Sequence, residues 1–204
     1  MSVKLFGHSN VKHFIKFLSI DNEDYSENIN SWSWSGLKTT QLLNKKSKKI
    51  SNIFENFAGS LSENDFIIIF LGDNDVCEDD SAEVTAWRLL SFASLIKRKY
   101  KVASVTLHQL LPRYPGARGN YAAYNLTAGK VNEIINANCK DFGLFFLDSG
   151  FKFPGGDKNG DSKSYYDRIA SFKEDGIHLS FLGNKKLKKS INHVLIQAKK
   201  FGTD

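Results

Sequence analysis

Residues 66–71, Phe-Ile-Ile-Ile-Phe-Leu, give the strongest strand signal in the chain, and Gly72-Asp73-Asn74-Asp75 follows at once. Six consecutive apolar residues leave no polar face, which predicts a central strand of a parallel sheet that helices cover on both sides. Polar side chains directly after such a strand lie at its carboxyl end, where doubly wound α/β sheets bind their ligands. This stretch therefore predicts the fold class and also the edge of the sheet that holds a site.

Strand-like and helix-like segments alternate on either side of this stretch. Short apolar runs predict strands at residues 3–6, 29–34, 102–107 and 144–147. Helical spacing of apolar residues predicts helices at 10–19, 37–57 (whole or interrupted), 81–100, 121–139 and 182–200. The alternation predicts one α/β domain over residues 1–204, with about five parallel strands and helices on both faces.

The spacing also predicts which side chains of two helices face the sheet. In the helix at 10–19 they are Val11, Phe14, Ile15 and Leu18. In the helix at 81–100, for which Ser81 is the expected N-cap, they are Val84, Trp87, Leu90 and Leu95.

Composition fits an ordinary globular domain. The chain has 204 residues, of which 41% are hydrophobic, and no apolar run approaches the roughly 18–20 residues that span a bilayer. The first seven residues are too short for a signal peptide and are interpreted as an opening strand. Cys77 and Cys139 do not indicate a disulfide framework, so an intracellular, reducing compartment is expected.

Motifs for cofactors and metals are missing from the sequence. There is no Gly-x-Gly-x-x-Gly after a strand and no Gly-Lys-Ser/Thr phosphate loop. Residues 157–161 begin like a calcium loop but lack its later Gly and Glu, and the acidic residues of 73–80 are interpreted as facing solvent. We expect neither a cofactor nor a metal.

The formal net charge is +6, and lysines concentrate in three clusters, at residues 45–49, 185–189 and 199–200. Two interpretations stay open. The lysines form solvated helix faces, or they form a footprint for RNA or another anionic surface. A lysine excess without interleaved aromatic side chains does not decide between them.

Three residues far from the central strand in sequence are candidates for catalysis. Ser9 lies just after the first strand and just before a helix, so it is either a nucleophile at the helix N-terminus or simply the N-cap. His178 follows Asp175 in Asp-Gly-Ile-His, where Gly176 allows a turn that brings the carboxylate back to the imidazole. A base oriented in this way can take the proton of a serine.

Asn74 is the fourth candidate. An amide at the end of the central strand either donates to an oxyanion in the same crevice or forms an Asx-turn that ends the strand. Together these residues supply a nucleophile, a base, a carboxylate and a hydrogen-bond donor, which is a complete set for acyl transfer.

The order of four blocks resembles the SGNH (GDSL-like) hydrolase superfamily. The blocks are Gly7-His8-Ser9, Ser35-Gly36-Leu37, Gly72-Asp73-Asn74-Asp75 and Asp175-Gly176-Ile177-His178. The resemblance implies a flavodoxin-like three-layer α/β/α fold and a metal-free acylhydrolase. It implies Ser9 as nucleophile, His178 as base and Asp175 as its orienting carboxylate. The implied oxyanion hole consists of the backbone N–H groups of Ser9 and Gly36 with the side chain of Asn74.

One position departs from the superfamily pattern, because His8 stands where an Asp is usual. His8 is either a second titratable group in the crevice or a partly exposed residue at the strand end. With Gln109-Leu110-Leu111-Pro112-Arg113, it resembles a branch associated with metazoan retroelement-encoded esterase-like domains, which accompany RNA-binding proteins.

The sequence thus predicts a serine esterase that cleaves a short-chain, acetyl-type ester through an acyl-enzyme. Four aromatic residues of the irregular segment 150–172 are candidates for the substrate pocket, or else cover edges of the core: Phe151, Phe153, Tyr165 and Tyr166. The alternative is a binding module that keeps the fold for contact with RNA or an anionic surface and turns over little or nothing.

Overall fold

The computed structural model describes residues 2–21, 29–44, 47–77, 81–117, 119–154 and 167–201. Five parallel strands form one sheet in the order β2-β1-β3-β4-β5. The strands are β1 (Ser2–Gly7), β2 (Ile29–Ser33), β3 (Asp65–Phe70), β4 (Ser104–His108) and β5 (Phe145–Leu147). The strand order and the parallel pairing confirm the predicted flavodoxin-like α/β class.

Helices occupy the connections between the strands. They are α1 (Ser9–Leu18), α2 (Thr39–Asn44), α3 (Lys48–Gly59), α4 (Asp73–Val76), α5 (Ala82–Tyr100), α6 (Tyr121–Asn138) and α7 (Phe181–Phe201), with a 3₁₀ turn at Cys139–Phe142. The segment 37–57, which the sequence left as one helix or an interrupted one, contains α2 and most of α3. None of the helices in the described ranges is long and apolar enough to cross a membrane.

The strand β3 is buried on both faces, as its sequence predicts. Ile67 and Ile69 join a core cluster with side chains of α3, α5 and α6. Phe66, Ile68 and Phe70 join a second cluster with side chains of α1 and α7. The sheet is therefore the middle of three layers, and its apolar faces stabilise the fold by excluding water.

The predicted inner face of α5 is wrong apart from Leu90, which is fully buried. Val84, Trp87 and Leu95 are each close to half exposed. The buried side of the helix instead carries small and large side chains at helical spacing, among them Ala82, Ala86, Leu89, Ala93 and Ile96. The prediction selected large apolar residues, but Val84, Trp87 and Leu95 project from the side of α5 opposite this buried series. In α1, Val11 and Phe14 are buried as predicted, Phe17 is buried as well, and Ile15 and Leu18 are partly buried.

Candidate active site

Ser9 is the first residue of α1, directly after β1. The backbone N–H of His8 donates to the Phe70 carbonyl (3.1 Å) and so fixes the end of β1 against β3. His8, not Ser9, is the N-cap, because its Nδ1 accepts the N–H of Asn10 (3.3 Å). The interpretation of Ser9 as the N-cap is therefore wrong, and its hydroxyl is available for another contact.

That contact is with His178. The Nε2 atom of His178 lies 2.9 Å from Ser9 Oγ, although the two residues are 169 positions apart in the chain. On the other side of the ring, Nδ1 lies 2.7 Å from Asp175 Oδ2. The structure thus joins the three predicted residues in one hydrogen-bonded row at the carboxyl edge of the sheet.

The backbone around Asp175 holds the carboxylate in place. Its Oδ1 accepts the N–H groups of Ile177 and His178, both at 2.9 Å. Gly176 adopts a φ of +62°, and a Cβ there would lie 2.3 Å from the Tyr114 carbonyl oxygen, so this turn requires glycine. The Asp175 carboxylate therefore accepts hydrogen bonds from the backbone of its own loop and also contacts the His178 imidazole.

Asp175 is an anion at every pH at which the protein would work. Burial favours the neutral acid, but hydrogen bonds from the His178 side chain and from the backbone N–H groups of His178 and Ile177 outweigh it and lower the pKa of Asp175 to about 2. An anion accepts hydrogen bonds only, so Nδ1 of His178 carries a hydrogen. In the neutral ring, Nε2 therefore directs its lone pair towards Ser9, as a general base requires.

The loop that contains Gly36 lies against the same edge. Its Trp34 N–H donates to the Gly7 carbonyl (3.0 Å), and the Asn74 amide donates to the Leu37 carbonyl (3.1 Å). Gly36 has a φ of +77°. A carboxamide has two N–H groups, and the bond to Leu37 uses one of them. Asn74 lies in α4 with its side chain tied to this loop, which is not the predicted alternative of an Asx-turn that only ends the strand.

Asp75 anchors the far end of this loop. Its buried carboxylate accepts the backbone N–H of Thr39 (3.0 Å) and also the Thr39 hydroxyl, and Arg88 lies 3.7 Å away. Burial raises the pKa of Asp75 although Thr39 and Arg88 oppose it. The Gly36 loop is therefore fixed to β1 at one end and to α4 at the other.

His8 has a partner that sequence reasoning did not find. The imidazole is buried, and its Nε2 lies 2.7 Å from Asp73 Oδ2. Asp73 Oδ1 also accepts from the Tyr124 hydroxyl (2.8 Å) and the Leu111 N–H (3.3 Å). Burial would raise the pKa of Asp73, but attraction to His8 and the hydrogen bonds from His8 and Tyr124 lower it.

The interpretation of His8 as a partly exposed strand-end residue is therefore wrong. Because Gly7 is in register with Phe70, the residues that follow β1 and β3 meet at the edge of the sheet. The His8–Asp73 contact links the loop of the nucleophile to the loop of Asn74. The adjacency of the two strands was the only signal in the sequence that could have suggested this pair.

We predict that His8→Ala lowers the free energy of unfolding by about 3 kcal/mol, because it leaves a buried carboxylate without its closest partner. Urea unfolding measures the change. His193→Ala, which removes an exposed imidazole from α7, is the matched control. A loss below about 0.5 kcal/mol, typical of surface substitutions, would show that the His8–Asp73 contact contributes nothing.

A second Ser–His contact exists but lies in the core. His108 Nε2 is 2.7 Å from Ser149 Oγ, and both residues are buried. Burial lowers the pKa of His108 to about 3, and its ring stacks on Phe70 with centroids 4.3 Å apart. Since substrate cannot reach a buried pair, this contact has a role in packing and not in catalysis.

The predicted substrate-pocket residues divide into two pairs. Phe151 is buried and packs against Phe172, and Phe153 is partly buried against the other core cluster. Both also line a cavity of about 410 Å³ beside Gln109 and Arg168. Tyr165 and Tyr166 lie outside the described residues. A role in substrate binding stays a prediction for all four.

Part of the lysine-rich surface is engaged within the protein. Lys188 is buried and pairs with Asp21 (2.9 Å), so the interpretation as a solvated face is wrong for this residue. Lys186 donates to the Ser171 hydroxyl (2.8 Å), and Lys49 lies over the Trp34 ring (4.3 Å). Lys45 and Lys46 lie outside the described residues. RNA binding stays a prediction.

A parallel α/β sheet that carries a hydrogen-bonded Ser–His–Asp row at its carboxyl edge is the architecture of a class of serine hydrolases. Comparison of the sequence with known families identifies the family within that class. The chain belongs to the GDSL-like lipase/acylhydrolase family, whose pattern matches residues 6–191. Membership supports general acylhydrolase activity. No curated protein matches the chain.

Solved structures share the fold at low sequence identity. A GDSL-like lipase from Bacteroides thetaiotaomicron is 18% identical, with a TM-score of 0.64 over 97% of this chain and 88% of its own. A member of the lipolytic G-D-S-L family from Veillonella parvula is 15% identical, with a TM-score of 0.65 over 95% and 97%. The lipase/acylhydrolase from Enterococcus faecalis is 15% identical, with a TM-score of 0.58 over 99% and 96%. None of these three matches supports the retroelement branch, which stays a prediction.

Proposed function

We propose that the protein is a serine esterase that cleaves short-chain, acetyl-type esters through an acyl-enzyme. The observation that carries this proposal is the row Ser9 Oγ–His178 Nε2 (2.9 Å) and His178 Nδ1–Asp175 Oδ2 (2.7 Å). A serine within hydrogen-bond reach of an oriented base is the arrangement that activates a hydroxyl as a nucleophile.

In the proposed reaction, Ser9 Oγ attacks the ester carbonyl carbon while His178 Nε2 takes the hydroxyl proton. The carbonyl oxygen becomes an oxyanion, and the N–H groups of Ser9, Gly36 and the Asn74 amide stabilise it. The tetrahedral intermediate collapses, the C–O bond to the alcohol breaks, and His178 returns the proton to the leaving alcohol. Water then attacks the acyl-serine with His178 again as base, which releases the acid and restores Ser9.

The test combines turnover with labelling. The purified protein is assayed with p-nitrophenyl acetate, butyrate and octanoate, and separately treated with a fluorophosphonate that reacts with activated serines. We expect the highest kcat/KM with acetate and a covalent adduct on the peptide that contains Ser9. Background hydrolysis of all three esters together with no adduct would refute the proposal and favour the binding-module alternative.

We predict that Asn74→Ala lowers kcat on p-nitrophenyl acetate by about 10²–10³-fold, because it removes one donor to the oxyanion. KM should change by less than about 3-fold, since this donor acts mainly in the transition state. Asn52→Ala, which removes an exposed amide from α3, is the control. Equal rates for the two variants would remove Asn74 from the proposed oxyanion hole.

We predict that kcat/KM falls on the acid side of its pH profile. Asp175, with its pKa held at about 2, keeps its charge throughout the assay range and does not cause a loss of rate there. A base works only when unprotonated, so kcat/KM should fall towards the acid end of the range if His178 is the base. Initial rates from pH 5 to 9 measure the profile, and a flat profile would exclude His178 as the base.

A further inference from the structure

His13 lies against the proposed base but has no part in the mechanism described above. It follows Ser9 by four residues on α1, so the two side chains project from the same face of the helix. The centroids of the His13 and His178 rings are 4.3 Å apart, with the ring planes inclined at 51°. His13 is half-buried by this contact.

The contact with Lys173 decides which nitrogen of the neutral His13 ring carries the hydrogen. The Lys173 ammonium lies 3.1 Å from His13 Nδ1, and an ammonium can only donate. Nδ1 therefore accepts, and the neutral His13 ring carries its hydrogen on Nε2. The backbone N–H of Lys173 also donates to the His178 carbonyl (2.8 Å), so Lys173 belongs to the loop that holds the base.

Burial and the surrounding charges keep His13 neutral. Burial, His178, Lys173 and Lys12 lower the pKa of His13 to about 4, against an opposing effect of Asp175. At the pH at which a histidine base is active, His13 is therefore an uncharged aromatic ring. When His178 takes the serine proton, a neutral ring beside the new imidazolium attracts it, whereas a protonated one would repel it.

The contacts with Asp175 and Ser9 lie at the two nitrogens on the edge of the His178 ring and not on its faces. The His13 ring packs against the imidazole and restricts rotation out of line with Ser9 Oγ. Small misplacements of a reacting group reduce rates strongly, so a contact of this kind has kinetic consequences.

We propose that His13 and Lys173 are positioning residues of this site: the His13 ring supports the imidazole of His178, and the Lys173 ammonium holds Nδ1 of the His13 ring as a hydrogen-bond acceptor. The kinetic part of this inference rests on the proposed function. The expected titration of His13 does not depend on the proposed function.

The kinetic experiment compares His13→Ala with His13→Phe, which keeps an aromatic ring but cannot titrate or accept from Lys173. With p-nitrophenyl acetate at pH 8, we expect His13→Ala to lower kcat about 10-fold with little change in KM, because the base is misplaced while the substrate contacts remain. We expect His13→Phe to recover most of this loss. Equal kcat for His13→Ala and the wild type, or equal loss in both variants, would overturn the supporting role of the ring.

The second experiment follows the His13 imidazole by ¹H–¹⁵N NMR through a pH titration of the whole protein. We expect a midpoint near pH 4 in the wild type. In Lys173→Met the midpoint should rise, and it should stay below the ordinary histidine value of ~6.5 because burial and His178 still disfavour the charged ring. The control is Lys16→Met, which removes the charge of an exposed lysine on α1 and should leave the His13 midpoint unchanged.

An unshifted midpoint in Lys173→Met would overturn the role of Lys173. The two proposals fail in different ways: background rates in the wild type would refute the esterase while the His13 titration still tested the Lys173 contact. Wild-type activity in His13→Ala, with loss of activity in Ser9→Ala, would refute the supporting role of His13 alone.

Discussion

Ser9→Ala is expected to lower kcat on p-nitrophenyl acetate by roughly 10⁴–10⁶-fold, the range seen when the nucleophile of a serine hydrolase is removed. The physical reason is that the variant has no atom 2.9 Å from His178 Nε2 that can give up a proton and attack the ester. Residual rate would come only from the oxyanion donors and from binding. The measurement is single-turnover and steady-state release of p-nitrophenol.

The structure makes this variant a clean test of chemistry. Because His8 and not Ser9 caps α1, loss of the Ser9 hydroxyl removes no helix cap. We therefore expect the free energy of unfolding to change by less than about 0.5 kcal/mol. Ser91→Ala, an exposed serine in the middle of α5, is the matched control and should retain wild-type kcat. Turnover in Ser9→Ala within 10-fold of the wild type would mean that another residue is the nucleophile.

The sequence predicted the sheet well because its signal is local. The six apolar residues at 66–71 have no polar face, and only a strand buried on both sides satisfies them. The inner face of α5 was predicted wrongly for a related reason: Trp87 and Leu95 give a strong apolar signal but are close to half exposed. Helical spacing places both on the side of α5 opposite the buried Ala86, Leu89, Ala93 and Ile96.

The candidate site was predictable where its residues follow strands or share a turn. Asp175 and His178 are three residues apart, and the turn at Gly176 joins them. The partners of His8 were not predictable in this way, since Asp73 is 65 positions away and becomes its neighbour only through the pairing of β1 with β3. The spacing of His13 was a weaker signal that could have been used. Residues four positions apart on a helix lie on the same face, so His13 was expected near Ser9.

The pairing of His8 with Asp73 also explains how the chain can depart from the usual pattern at the residue before the nucleophile. The imidazole accepts from the Asn10 N–H and contacts the Asp73 carboxylate, so it caps α1 and joins two loops at once. Asp73 is in turn held by the Tyr124 hydroxyl. The geometry of Ser9 is thus maintained by a buried network that includes the unusual residue itself.

Asp175→Asn should have the other large effect, a loss of about 10³–10⁴-fold in kcat, because it changes which nitrogen of His178 carries the hydrogen. Asp175 Oδ1 accepts two backbone N–H groups, from Ile177 and His178, so the amide oxygen of Asn should take this position. The amide NH₂ then points at Nδ1 and donates to it. Nε2 must carry the hydrogen, and it can no longer take the proton of Ser9.

The alternative orientation of the amide in the Asp175→Asn variant, with its oxygen and NH₂ group exchanged, has a higher free energy. It would set an NH₂ group against the two backbone N–H groups and leave both without an acceptor, at a cost of roughly 1–3 kcal/mol for each unsatisfied group. The tautomer change should therefore be visible directly, as a transfer of the His178 hydrogen from Nδ1 to Nε2 in ¹⁵N NMR of the variant. Asp141→Asn, at an exposed position in the 3₁₀ turn, is the control. A loss of less than 10-fold in Asp175→Asn, with the hydrogen still on Nδ1, would mean that the turn backbone alone orients the base and that the carboxylate is dispensable.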